Sequence, residues 1–200
     1  MPARFPVTTI YSLGEKRLQI CVLHRLEIVI ACSILFSCAT IQQTQLKSRD
    51  AEEFNNQGFA HCQIGRYDQA ISDFSKAIEA NPQLAPAYNN RGTAYLYKAQ
   101  YNQAITDLSK AIEINPRFAQ AYKNRGWAYI KKRQYDQAIS DFNKTIEIDP
   151  GFVEAYFYRA IVYFLAEEYH KSLSDVIKAR QLGYKIPLKF LDDFRKAAGG

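Results

Sequence analysis

Apolar positions along residues 85–114 fall into two stripes of helical period. Ala87, Tyr88, Arg91, Ala94, Tyr95 and Lys98 recur at i, i+3, i+4 and i+7. Ala104, Ile105, Leu108, Ala111, Ile112 and Ile114 share one broad face of a second segment, about 102–114. The pattern predicts two amphipathic helices. Asn115-Pro116 ends the second, because the residue before proline avoids helical backbone angles and proline cannot extend the hydrogen-bond ladder. Asn81-Pro82 and Asp149-Pro150 stand one interval to either side and predict the same break.

That interval is a repeat of 34 residues. FNNQGFAHCQIGRYDQAISDFSKAIEANP from Phe54, YNNRGTAYLYKAQYNQAITDLSKAIEINP from Tyr88 and YKNRGWAYIKKRQYDQAISDFNKTIEIDP from Tyr122 align on it, and blocks 85–118 and 119–152 are identical at 21 of 34 positions. A more divergent fourth copy starts at Tyr156. The chain therefore reads as four helical hairpins, 51–84, 85–118, 119–152 and 153–186. A final segment, 187–200, carries Leu188, Phe190, Leu191 and Phe194 and predicts a capping helix. Stacked repeats bury their faces only against neighbours and need such an end.

Two further periodic features bear on packing. Gly58, Gly92 and Gly126 recur in the first helix of each unit, with Ala160 in the fourth. Ala70, Ala104 and Ala138 recur in the second, with Ser172 in the fourth. Glycine inside a helix costs about 1 kcal/mol relative to alanine, so its recurrence predicts a close crossing of the two backbones. Arg91, Arg125 and Arg159, with Gln57 in the first copy, lie sixteen residues before Asp107, Asp141, Asp175 and Asp73. Either the two rows form an Arg–Asp ladder between the helices, or each row is solvated on its own.

The landmarks Tyr88, Gly92, Tyr95, Ala104, Leu108 and Pro116 resemble the tetratricopeptide repeat over residues 51–186. Arg91, Arg125 and Arg159 depart from it where leucine is usual. The resemblance implies an all-α, right-handed superhelix of antiparallel hairpins, with a concave binding face built from the first helix of each repeat. Carried over position by position, that face holds Asn55, Phe59, Asn89, Thr93, Leu96, Tyr97, Lys123, Trp127, Ile130, Lys131, Phe157 and Ile161. Trp127 is the only tryptophan and falls at mid-groove. Members that grip acidic chaperone tails use Lys, Asn, Asn, Lys and Arg. The matching places here hold Asn55, Phe59, Asn90, Gln120 and Asn124. Losing three cations removes the charge-assisted bonds of such a clamp, so a more apolar helix or extended peptide fits the groove better.

Composition adds mainly exclusions. The formal net charge is +6, but residues 1–50 carry six basic and three acidic side chains and 51–84 carry two and five. No block is strongly basic, and no nucleic-acid partner is expected. His24, His61 and His170 are scattered, and His61 takes the place of Tyr95, where a packing role is expected. Cys62 is the one thiol within the repeats and reads as inert. No CxxC, HExxH, phosphate-binding loop or GxSxG is present. The chain is read as a non-enzyme with no cofactor and no metal.

The first fifty residues form a separate problem. Residues 28–41, IVIACSILFSCATI, are uncharged and follow Lys16, Arg17, His24 and Arg25. They fall short of the roughly 20 residues of a membrane span and match a signal-peptide core. Leu35-Phe36-Ser37-Cys38 resembles a bacterial lipoprotein cleavage box, which makes Cys38 the candidate for lipidation. Residues 1–37 then read as signal-like and 38–50 as a polar tether. The expectation is an adaptor for a protein or peptide partner, lipid-anchored and periplasm-facing in a bacterial envelope. A cytosolic co-chaperone or regulatory scaffold is one alternative. A self-assembling structural protein, with a second copy as partner, is another.

Overall fold

The computed structural model describes residues 42, 45 and 47–197. The signal-like segment and Cys38 lie outside the described residues. A first helix, α1, covers 47–63. It is followed by α2 (Tyr67–Ala80), α3 (Ala85–Tyr97), α4 (Tyr101–Ile114), α5 (Ala119–Lys131), α6 (Tyr135–Ile148), α7 (Val153–Leu165), α8 (Tyr169–Gln181) and α9 (Leu188–Ala197). No strand occurs among the described residues. Residues 47–50, expected in the tether, are already helical. They contain neither proline nor glycine and lead into Ala51, which is fully buried.

The hairpins form where one backbone carries no side chain. A Cβ placed on Gly92 would meet Leu108 Cγ at 2.8 Å, and one on Gly126 would meet Phe142 Cε1 at 2.9 Å. Ala104 and Ala138 are fully buried beside them. The divergent fourth hairpin changes both sides of this contact. Ala160 stands where glycine did, and Val176 replaces the longer Leu108 or Phe142, so the added methyl has room. Ser172 fits the alanine place because its hydroxyl donates to the Ala160 carbonyl at 2.8 Å.

Turns follow the same period. Within each hairpin the turn needs one left-handed residue: Gly65 (φ 72°), Ala99 (57°), Arg133 (58°) and Glu167 (61°). The Gln100 and Gln134 amides close these turns on the Tyr95 and Tyr129 carbonyls, each at 2.9 Å. Between hairpins, the side-chain oxygens of Asn81, Asn115 and Asp149 accept the amide two residues on at 3.0, 3.1 and 2.9 Å. These Asx turns accompany the proline breaks.

The Arg and Asp rows meet. Arg91 donates to Asp107 through Nε and Nη2 at 2.7 and 2.9 Å, Arg125 to Asp141 at 2.8 Å twice, and Arg159 to Asp175 at 2.7 Å twice. The third guanidinium nitrogen reaches back one repeat. Arg91 Nη1 donates to Ser75 at 3.0 Å, Arg125 Nη1 to Ser109 at 2.9 Å and Arg159 Nη1 to Asn143 at 2.5 Å. Each arginine thus ties its own hairpin together and also ties it to the one before. The hydrogen bonds to Asp107 and Asp175 push the Arg91 and Arg159 pKa values up. Burial pushes the Asp141 carboxyl up, and Arg125 opposes that shift.

The first hairpin has Gln57 in place of the arginine, and Asp73 finds other partners. His61 Nδ1 lies 2.7 Å from Asp73 Oδ2, and Lys76 donates to Oδ1 at 3.2 Å. His61 is therefore a hydrogen-bonding partner of Asp73 rather than a residue that only packs. At the other end, α9 docks through Phe190 and Phe194, whose rings stand 5.4 Å from Phe157 and 5.9 Å from Phe164.

Removing one partner of a largely buried ion pair strands the other. Arg125→Met is expected to destabilise the chain by about 3 kcal/mol, and adding Asp141→Leu should recover part of that loss. Denaturant unfolding across the double-mutant cycle is expected to give a coupling of about 1–3 kcal/mol; zero coupling would contradict the pair. Arg133→Gly should raise stability by about 0.5–1 kcal/mol, because glycine takes the left-handed region freely. An unchanged or lower unfolding midpoint would refute that reading of the turn.

Candidate functional site

First helices of successive hairpins lie side by side, so residues 34 or so apart in sequence become neighbours. One row of such positions is a run of carboxamides. Asn90 donates to Asn55 at 3.1 Å, Asn89 to Asn90 at 3.1 Å and Asn124 to Asn89 at 3.0 Å. Asn124 also donates to the Thr93 hydroxyl at 3.0 Å and accepts from Gln120 at 3.1 Å. Asn89 and Asn124 are buried. Buried amides need such partners, because each unsatisfied one costs about 1–3 kcal/mol. The network is neutral and held in place before any ligand arrives.

This network floors a cavity of about 440 Å³. Its walls are aromatic and aliphatic: Phe59, Leu96 and Tyr97 towards the first hairpins, Trp127 and Tyr158 towards the fourth. Phe59 and Tyr97 are exposed at 53% and 66%. Tyr97 is steadied from behind by Tyr67, stacked at 4.9 Å. Trp127 and Tyr158 meet at 5.1 Å, and the Lys131 ammonium lies 4.5 Å from the centre of the Trp127 ring. Lys123 also lines the cavity. Burial pulls its ammonium pKa down, and Glu154 on α7 opposes that shift.

Of the twelve positions read from the sequence, Phe59, Asn89, Thr93, Leu96, Tyr97, Lys123 and Trp127 come together around this cavity. Asn55 sits behind it as the acceptor for Asn90, and Lys131 covers Trp127. Three positions do not reach the cavity. Ile130 packs into the cluster of Ala138, Phe142, Ala155 and Val162, while Phe157 and Ile161 pack beneath the cap with Tyr156 and Ala179. Phe157 is only 5% exposed. Asn90, Gln120, Asn124 and Tyr158 line the cavity without having been among the twelve. Tyr158 occupies the same place in its repeat as Asn90 and Asn124, so the 34-residue register carried the signal.

Among the described residues no group of three His, Cys, Asp or Glu side chains is placed to hold a metal ion, and no helix is long and apolar enough to cross a membrane.

Comparison with known proteins agrees with the repeat fold. Residues 85–118 and 119–152 match the family model described as tetratricopeptide repeat, and residues 58–98 match one described as TPR repeat. No curated protein matches the chain. Among solved structures, MamA is similar at 28% identity and a TM-score of 0.63, over 66% of this chain and 78% of that one. The first TPR of Spaghetti (RPAP3), bound to the HSP90 peptide SRMEEVD, is similar at 25% identity and a TM-score of 0.59, over 60% and 95%. The Arabidopsis OM64 TPR domain is similar at 26% identity and a TM-score of 0.57, over 58% and 96%.

Proposed function

We propose that these tetratricopeptide repeats form a non-enzymatic adaptor that holds a peptide or partner domain in the cavity between Tyr97 and Trp127. One observation carries the reading. Exposed Phe59 and Tyr97 and half-buried Trp127 and Tyr158 stand around a concave, pre-ordered floor. Aromatic residues at such places dominate binding energy, because they bury much area with few rotatable bonds. A relative solved with a peptide bound supports the same use of the fold.

The adaptor is further proposed to be held at a bacterial envelope by lipid on Cys38. The support is the sequence alone: an uncharged stretch over 28–41 and the Leu35-Phe36-Ser37-Cys38 box. More than one acyl chain would suffice for stable attachment without a span.

Trp127→Ala is expected to weaken partner binding by about 2 kcal/mol or more with helical content unchanged. Crosslinked affinity capture from the native host, wild type against variant, checks this, and equal capture by both would refute the groove. Metabolic labelling with a fatty acid should mark the wild-type chain and not Cys38→Ala. Label retained by the variant, or absent from both, would reject the anchor.

A further inference from the structure

Lys123 is the one lining residue of the cavity that carries a formal charge. The other cation at hand, Lys131, lies over the Trp127 ring. Lys123 has no ion-pair partner among the described residues. Glu154 is close enough to be felt but not to pair. The floor beneath is carboxamide, already hydrogen-bonded to itself. A ligand group that neutralises this cation gains a charge-assisted bond in a partly dry site. A second carboxylate would find no further cation in the lining, since Lys131 lies over the Trp127 ring and outside it.

We propose that the partner segment carries a single side-chain carboxylate that pairs with Lys123, flanked on both sides by apolar or aromatic residues. This rests on the groove reading above. The flanks follow from the order of the helices: Phe59 on α1 and Tyr97 on α3 come before α5, which carries Lys123 and Trp127, and Tyr158 on α7 comes after it. A segment that covers both walls must continue past Lys123 in both directions, so its carboxylate belongs to an internal Asp or Glu and not to a chain end. Lys123 and Trp127 are four residues apart on α5, about 6 Å along the helix. An acid and an apolar side chain at i and i+4 of a helix match that span, as do i and i+2 of an extended strand.

Burial already pulls the Lys123 ammonium pKa down. Burial makes its charge costly, and a carboxylate relieves that cost.

The test uses the full chain and pools of short peptides, acetylated and amidated so that no terminal charge remains. The pools are apolar and differ in one central residue: Glu, Gln, Lys or a Glu-Glu pair. Wild type is expected to bind the single-Glu pool about tenfold or more tighter than the Gln pool, with no further gain from Glu-Glu and the weakest binding to Lys. Lys123→Gln should bring the Glu pool down to the Gln level, and Lys123→Arg should restore the preference. Circular dichroism establishes that each variant is folded. A Glu preference that survives in Lys123→Gln, or no preference in wild type while Trp127→Ala still weakens every pool, overturns this inference and leaves the groove standing. If no pool binds, or Trp127→Ala changes none of them, the groove reading fails and this inference with it.

Discussion

The first three hairpins of this chain each close at a point where one helix has no side chain to offer. Gly58, Gly92 and Gly126 let Phe74, Leu108 and Phe142 lie directly against helical backbone. The distances leave no space for a methyl group, and overpacking a contact of this kind typically costs about 1–3 kcal/mol. The fourth hairpin shows that the constraint is on the pair and not on glycine itself. Ala160 is tolerated because Val176 has withdrawn the bulk from the other side, and Ser172 enters because a carbonyl accepts its hydroxyl proton. Everything further out, including the angle at which each first helix faces the groove, depends on this contact.

Burial of apolar surface is non-directional and would allow neighbouring hairpins to slide. The arginines remove that freedom. Each guanidinium makes two hydrogen bonds to the aspartate of its own hairpin and one to the hairpin before, and its planar fork admits one geometry. Stacking of these groups over Tyr88, Tyr122 and Tyr156 at 5.7–5.8 Å adds a further constraint on position. The first hairpin lacks the arginine and meets its aspartate with His61 and Lys76 instead. The buried carboxylate is thus never left alone, which is the condition under which it can be buried at all.

A fixed register has a chemical result in the groove. It brings Asn55 of the first hairpin, Asn89 and Asn90 of the second and Asn124 of the third into one hydrogen-bonded row, with Gln120 and Thr93 completing it. The floor of the groove is therefore neutral. The selectivity left to the cavity comes from its aromatic walls and from Lys123.

The period of 34 residues by itself determined the paired helices, and the apolar residues after Pro187 gave the capping helix. Apolar spacing, proline breaks and recurring small residues are local signals that survive without knowledge of the fold. Most of the cavity lining follows from the resemblance to the tetratricopeptide repeat, which implies that first helices form the concave face. Tertiary structure alone decided three matters. It settled that the Arg and Asp rows bond, since sixteen residues of separation say nothing of how two side chains are aimed. It turned Phe157 and Ile161 under the cap, because Phe190 of α9 packs into their cluster. It joined the asparagines into a network and gave Lys123 no ion-pair partner among the described residues, because contacts between hairpins depend on distances set by packing, which no spacing along the chain encodes.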